Sequence, residues 1–260
     1  MRRITSRQNA IVTMYRDVAR GDSSRLLLDG AHLVTDALAA GWHLEHVILA
    51  ADREDDQELA PLAAQAEGAG TEVALGSAPV MAAVSPVRSP SPIVAIAQRP
   101  RLSRPMYRTP RPLVIIACEV QEPGNLGAMI RVAEGAGATG FVAAGQSADP
   151  FGWKALRGSM GSALRLPVSV QADVPGAVEE ARRHGCRIFA TVPRGGTLLF
   201  KADLTGGTAL LIGSEGRGLD HSLEAAADER LTIPMAPPVE SLNAAIAVAL
   251  VVYEARRQRG

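Results

Sequence analysis

Five polar side chains in three short stretches of the sequence are the candidates for chemistry. They are Asn125, Arg131, Glu215, Ser241 and Asn243. Amide, carboxylate and hydroxyl groups can hold a polar ligand by hydrogen bonds, whereas a guanidinium keeps its proton at ordinary pH and orients an anion more readily than it removes a proton. The five histidines form no recognisable constellation, and the two cysteines lie in apolar runs. The sequence therefore offers no His/Cys cluster for a metal ion.

The first stretch, E-P-G-N-L-G-A-M-I-R, predicts a turn followed by a helix. Pro123 and the glycine after it form a tight turn, and Asn125 is expected at the N-cap of a helix over 126–136. Arg131 would then lie on a face of this helix that can be directed toward the preceding loop. An ordinary structural explanation stays open, in which Asn125 only caps the helix and Arg131 is only solvated.

The second stretch, G-S-E-G-R-G-L, follows an apolar run that predicts a strand. Its three glycines let the backbone approach a ligand closely, and Glu215 is the only carboxylate in the turn. The pattern is neither G-x-G-x-x-G nor G-K-[ST], so it supports neither a dinucleotide fingerprint nor a P-loop.

The third stretch begins with three prolines between 234 and 238, which predict a rigid loop. Ser241 is expected to cap a long helix over 241–257. Asn243 would then lie inside the most apolar helix of the chain, where an unpaired buried amide costs roughly 1–3 kcal/mol. Asn243 therefore either serves a ligand or makes a first-turn capping contact.

The elements that position these stretches alternate between strand and helix. Repeated alternation with continuous apolar strands predicts a mostly parallel sheet covered on both faces, and in such sheets ligands bind beyond the carboxyl ends of the strands. The loops after residues 118, 192, 213 and 235 are therefore the expected site. The strand-like runs are 113–118, 140–145, 166–170, 186–192, 208–213 and 230–235.

Composition and charge divide the chain into two domains. The sequence has 260 residues, enough for two modest domains. Residues 99–112 hold four prolines and five arginines, which predicts a stiff linker between an α/β domain over 1–98 and a second over 113–260. The net charge is zero, yet 1–25 carries +4 and 99–112 carries +5. Two basic segments are a plausible phosphate footprint, and equally a solvated tail and linker.

The same composition excludes several classes of protein. Two cysteines exclude a disulfide scaffold and fit a reducing compartment, so a cytoplasmic protein is expected. The longest apolar run, over 242–253, has 12 residues, whereas a spanning helix needs roughly 20. A membrane protein is therefore not expected.

The order and spacing of the three stretches resemble the three motifs of the SpoU family of RNA ribose 2′-O-methyltransferases, within the SPOUT class. The matching segments are 122–131, 213–219 and 233–247, with R-G-S-M-G-S over 157–162 as a fourth. Residues 1–98 are similar, through 4–12 and 26–34, to the L30e-like RNA-binding domain that many family members carry. Thr13 and Asp29 depart from that pattern, since Lys and Glu are usual there.

The resemblance implies a trefoil-knotted C-terminal α/β domain, a smaller L30e-like domain, and S-adenosylmethionine as the methyl donor. It assigns Asn125 and Asn243 to fixing the ribose hydroxyl or the Arg131 side chain. Glu215 would hold Arg131 or a neighbouring donor, and Ser241 would set the loop conformation. Arg131 would bind the target phosphate and orient the hydroxyl. The residues implied to hold the cofactor are Thr191, Gly213, Ile233, Met235 and Leu242.

The resemblance also implies structured RNA as partner, ribosomal RNA rather than transfer RNA, and a homodimer formed through 113–260. The 241–257 helix supports a dimer, because two apolar stripes on one helix imply burial on both sides. The stripes are Leu242, Ile246, Leu250 and Tyr253, and Ala245, Val248 and Val252.

Three alternatives remain from the sequence. The chain could methylate transfer RNA, it could be a non-catalytic RNA-binding protein with the same fold, or it could be a small-molecule α/β enzyme using another nucleotide. A non-catalytic protein should have lost motif residues, and all five are present.

Overall fold

Two β-sheets, each with its own helices, organise the chain in the computed structural model, which describes residues 1–99, 105–214 and 216–260. An N-terminal unit comprises Met1–Arg101 and Phe151–Arg165. A C-terminal unit comprises Leu102–Pro150 and Leu166–Gly260. Residues 100–104 of the expected linker and Glu215 lie outside the described residues.

A mixed five-stranded sheet, in the order β1-β4-β3-β5-β2, forms the N-terminal unit. Strand β5 is antiparallel to both of its neighbours, β3 and β2, and the other neighbouring pairs are parallel. Its strands are β1 (Arg2–Ile4), β2 (Arg25–Asp29), β3 (Leu44–Ala50), β4 (Glu72–Gly76) and β5 (Ile93–Gln98). Its helices are α1 (Ala10–Arg20), α2 (Ala31–Ala39), α3 (Leu59–Gly68), α4 (Ala78–Val84), α6 (Trp153–Ser159) and α7 (Ser162–Arg165), with a 3₁₀ turn over Ala51–Arg53.

The segment with α6 and α7 comes from a part of the sequence expected in the domain over 113–260, yet the structure groups it with the N-terminal unit. Long-range polar contacts explain the difference. Arg157 Nη1 donates to Asp29 Oδ2 at 2.6 Å, and the Asp29 side chain is completely buried. The indole of Trp42 donates to the Leu164 carbonyl at 2.9 Å. A buried carboxylate needs a partner, and here a distant residue supplies it.

A seven-stranded sheet forms the C-terminal unit, in the order β10-β12-β9-β11-β6-β7-β8, and all its neighbouring pairs are parallel. Its strands are β6 (Leu113–Cys118), β7 (Gly140–Ala144), β8 (Val168–Gln171), β9 (Arg187–Thr191), β10 (Thr197–Leu198), β11 (Thr208–Ile212) and β12 (Glu229–Thr232). Its helices are α5 (Pro123–Gly135), α8 (Val174–Arg183), α9 (His221–Ala226) and α10 (Ala244–Arg259), with a 3₁₀ turn over Leu199–Lys201.

The central strands of this sheet are buried along their whole length. Every residue of β6, β7 and β11 is buried, as expected where helices cover both faces of a parallel sheet. The predicted α/β class, with a mostly parallel sheet and a smaller α/β unit before it, is confirmed. Because β12, β9, β11 and β6 are neighbours, their carboxyl ends bring the loops that follow them to one edge of the sheet.

Within the described ranges, no helix is long and apolar enough to cross a membrane.

Candidate active site

A cavity of about 570 Å³, here called the large cavity, opens at the carboxyl ends of β9, β11 and β12. Its walls are the loops after these three neighbouring strands, the first residues of α9 and the first turn of α10. The volume lies within the usual range for small-molecule sites. All five residues that the family resemblance assigned to the cofactor line it, namely Thr191, Gly213, Ile233, Met235 and Leu242.

Gly213 lets the loop after β11 fold back on itself. A Cβ atom at this position would collide with the carbonyl group of Gly218 and the amide nitrogen of Leu219. The Gly218 N–H donates to the Ser214 carbonyl at 2.9 Å, and Gly216 and Gly218 adopt positive φ of 89° and 69°. Glycine is required here because the backbone makes a close approach and then a left-handed turn.

The other lining residues present mostly apolar surface. Ile233 and Met235 are half-buried and both line the cavity, whereas Pro234 between them is exposed. The Thr191 hydroxyl donates to the Leu211 carbonyl at 2.9 Å, which commits it to the sheet. Thr191 therefore lines the cavity mainly through its backbone and methyl group.

A second cavity of about 350 Å³ lies beside the first, between the loops after β6 and β11, and is here called the crevice. Ser214 and Arg217 line both cavities, so one loop separates the two. Glu119 and Glu122 line the crevice from the β6 side. This is the edge at which an open α/β sheet places its ligands.

Asn125 and Asn243 meet directly. The Asn243 Nδ2 donates to the Asn125 Oδ1 at 3.2 Å, across 118 positions of sequence. Asn243 caps α10, and its Oδ1 accepts from the N–H groups of Ala245 and Ile246. The expectation that Ser241 caps this helix is wrong, because the cap lies two residues later.

The expected cap of α5 is also wrong. Glu122 caps this helix by accepting from the Gly124 N–H at 3.2 Å, and Pro123 occupies the first turn. Proline fixes a helical φ and has no N–H to satisfy, so it suits that position. Asn125 consequently lies inside the first turn, where its side chain is available to Asn243.

Ser241 and Arg131 take different places. Ser241 is exposed and lines the large cavity together with Asn243. Arg131 is exposed on α5, lines neither cavity, and makes no hydrogen bond or ion pair with any described residue. Six positions separate it from Asn125, which places the two about 9 Å apart along the axis and on different faces of α5. Glu215, the remaining candidate, lies outside the described residues.

The cysteines play no nucleophilic part. Burial raises the pKa of the Cys118 thiol to about 12 and that of Cys186 to about 11. Both stay protonated at neutral pH, and only a thiolate is an effective nucleophile. Among the described residues no cluster of three metal-ligating side chains occurs.

Three residues of these walls are not among the candidates predicted from the sequence. Arg217, inside the quoted second motif, touches both cavities, and Glu119 closes the crevice at the end of β6. His221, at the start of α9, also lines the large cavity. The sequence signal for two of them is their position after a strand, because Glu119 directly follows β6 and Arg217 lies in the glycine-rich loop after β11.

Comparison with known proteins agrees with this arrangement. Residues 112–253 match the SpoU rRNA Methylase family, and residues 11–95 match the MRM3-like substrate binding domain. The chain is 30% identical to the Bacillus subtilis protein named 23S rRNA (guanosine(2553)-2′-O)-methyltransferase RlmP, covering 98% of this chain and all of that one. It is 32% identical to the 23S rRNA (uridine(2479)-2′-O)-methyltransferase of Streptomyces viridochromogenes, covering 99% of this chain and 93% of that one.

A solved structure covers both units. The AdoMet-bound rRNA methyltransferase of Sinorhizobium meliloti matches with a TM-score of 0.86 and 28% identity, covering 98% of this chain and 97% of that one. The motif order, the parallel sheet, the cavities at its strand ends and these full-length matches lead to one conclusion. The chain belongs to the SpoU family of rRNA methylases.

Proposed function

We propose that this protein transfers a methyl group from S-adenosylmethionine to a ribose 2′-hydroxyl of ribosomal RNA. One observation supports this most directly: all five expected cofactor residues line one cavity, and the linked pair Asn125 and Asn243 lies at its rim. The relatives are named for this reaction, and they act on different nucleosides. Family membership alone therefore leaves the target base open.

The large cavity fits the proposed cofactor. Its lining combines apolar side chains, such as Ile233 and Met235, with the Gly213 backbone that no side chain could replace. These three residues and Leu242 would hold the adenosine and methionine parts. When bound, the cofactor supplies an electrophilic methyl group on a sulfonium.

The chain's own residues would position the acceptor. Asn243 is fixed by its two capping bonds and in turn fixes Asn125. The pair can orient a hydroxyl without a large entropic cost at the moment of reaction. A guanidinium carries only hydrogen-bond donors, so the role of Arg131 is to bind a phosphate and orient the ribose. Ser241 would set the loop, and Glu215 would hold Arg131 or a neighbouring donor.

The placement of Arg131 supports a homodimer. On α10, Ile246, Leu250 and Tyr253 are 52%, 40% and 52% exposed and form one apolar stripe. Arg131 lies one helical turn before Gly135, against which the Tyr253 hydroxyl lies. A second copy that covers this stripe would therefore also approach Arg131. In that arrangement the arginine completes a site that one chain alone leaves open.

The remaining partners follow from the reaction. Structured ribosomal RNA is the proposed substrate, the N-terminal unit assists its binding, and the cytoplasm is the proposed location. Transfer RNA is the less favoured substrate, because both named relatives above act on 23S rRNA.

Mapping of 2′-O-methyl groups in ribosomal RNA tests the proposal. RNA from cells with and without the gene is reverse-transcribed at low nucleotide concentration, where 2′-O-methyl groups stop the enzyme. One stop should vanish without the gene and return when the gene is restored. If the stops change in transfer RNA and not in ribosomal RNA, then transfer RNA is the substrate. If the stops change in neither RNA, the proposed methyltransferase activity is wrong.

A further inference from the structure

Resting on the proposed function, we infer that the crevice receives the base of the target nucleotide and that Glu119 and Arg217 select guanine. The crevice shares Ser214 and Arg217 with the large cavity. A ribose held at that shared wall, next to the methyl donor, must direct its base somewhere. At about 350 Å³ the crevice has room for a nucleoside.

The charges in the crevice suit a base better than a phosphate. Glu119, Gln121 and Glu122 line one side and Arg217 the other. Two carboxylates repel a phosphate backbone, which proteins bind with Lys and Arg. Carboxylates do accept hydrogen bonds from base edges, as Arg donates to guanine O6 and N7.

Glu119 and Arg217 are available for such contacts. Neither side chain forms a hydrogen bond or ion pair with a described residue, whereas Glu122 is occupied in capping α5. Both are exposed to the crevice, so a ligand can reach them.

The backbone at Glu119 is held in a costly conformation. Its φ is +58°, in the left-handed region that residues other than glycine rarely adopt. Its N–H donates to the Ala144 carbonyl at 3.1 Å, and its side chain lies over Gly145, where a Cβ would come within 3.1 Å of the Glu119 Cγ. Strain of this kind collects at functional positions. Here it aims a carboxylate at the crevice.

Guanine matches the arrangement because it presents donors and acceptors on separate edges. Its N1–H and exocyclic N2 amine can both donate to one carboxylate, while O6 and N7 accept from a guanidinium. Uracil offers a single N–H donor, and adenine and cytosine each offer one amine. Only guanine pairs two donors with Glu119 and leaves acceptors for Arg217.

The first test identifies the methylated nucleoside. Purified full-length protein, S-adenosylmethionine and ribosomal RNA from cells lacking the gene are incubated, and the RNA is digested to nucleosides. The inference predicts 2′-O-methylguanosine. Formation of 2′-O-methyl-uridine, -cytidine or -adenosine instead overturns it and leaves the proposed function intact. No 2′-O-methyl nucleoside at all would defeat the proposed function itself.

The second test determines whether Glu119 recognises the guanine base. Glu119→Gln should lower kcat/KM for the RNA about 10- to 100-fold, the range for loss of a bidentate base contact, with the affinity for S-adenosylmethionine unchanged. Glu179→Gln, an exposed glutamate on α8 outside both cavities, is the matched control and should not change either value.

An RNA with inosine at the target removes only the N2 amine. The parent protein should lose activity on it, and Glu119→Gln should lose little more, because the same contact is already gone. An unchanged kcat/KM for Glu119→Gln on the guanosine RNA overturns the inference, as do additive losses on the inosine RNA.

Discussion

Asn243 performs two tasks with one amide group. Its oxygen caps α10, and its nitrogen donates to Asn125. A residue that joins a helix cap to a motif 118 positions away fixes the geometry of both. The two tasks can be separated, because aspartate caps a helix as well as asparagine but has no amide donor.

We expect Asn243→Asp to keep the denaturation midpoint near that of the parent. Methyl transfer should fall about tenfold or more, since the amide N–H that donates to Asn125 is lost from the site where the ribose hydroxyl binds. Asn243→Ala should in addition lose about 1 kcal/mol of unfolding free energy. The control is Asn9, which caps α1 in the N-terminal unit through the same bond to a backbone N–H. Asn9→Asp should change neither property. Full activity in Asn243→Asp would contradict the role of the pair.

The close backbone approach at Gly213 can be tested by substitution. Gly213→Ala forces the loop after β11 open, because its Cβ would meet backbone rather than a flexible side chain. Calorimetry should show at least about tenfold weaker binding of S-adenosylmethionine, as small displacements in a site have large costs. Gly206→Ala, in the same unit with nothing within 4 Å of the added atom, should bind normally. Equal affinity in both variants would remove this loop from the cofactor site.

The sequence of helix α10 predicts its apolar stripes but not the surroundings of each stripe. Its two apolar stripes are visible in the sequence, and the structure gives them different surroundings. Val248 and Val252 are completely buried within the chain, whereas Ile246 and Leu250 are exposed. Periodicity finds both stripes but cannot tell which one the chain covers itself. The start of the helix was placed early because Ser241 satisfies the same capping pattern as Asn243.

The exposed stripe predicts the response of the assembly to substitution. Leu250→Glu should keep the fold and convert a dimer into a particle of 27.2 kDa in light scattering. Dimer formation would have to bury the new carboxylate against apolar surface without its hydration, which is costly. Val248→Ala should cost about 2 kcal/mol of unfolding free energy through a cavity, and leave the dimer. A parent protein that already scatters as 27.2 kDa would contradict the homodimer.

The division of the chain into two units follows only in part from the sequence. Strand and helix alternation gave the fold class and the strand ends that carry the site. The same alternation could not show that 151–165 joins the N-terminal unit, because its partners, such as Asp29 and Trp42, are more than 100 positions away. Long-range pairing of single side chains leaves no periodic signal.

This pairing has a measurable consequence for stability. Arg157→Met should lower the unfolding free energy by about 3 kcal/mol, because it leaves the Asp29 carboxylate buried without its charged partner. Adding Asp29→Asn should recover much of the loss, since the amide needs no counter-charge and Ser85 still reaches it. Arg183→Met, on an exposed arginine of α8, is the control and should have little effect. An Arg157→Met protein as stable as the parent would show that the segment is held by other contacts.

Methyl transfer to ribosomal RNA can be measured with purified components. Purified full-length protein is given S-adenosylmethionine with a labelled methyl group and ribosomal RNA from cells that lack the gene, and the labelled nucleosides are identified by mass spectrometry. We expect a single labelled product with the methyl group on the ribose 2′-oxygen. A labelled base, or no transfer by a protein that binds the cofactor, would contradict it.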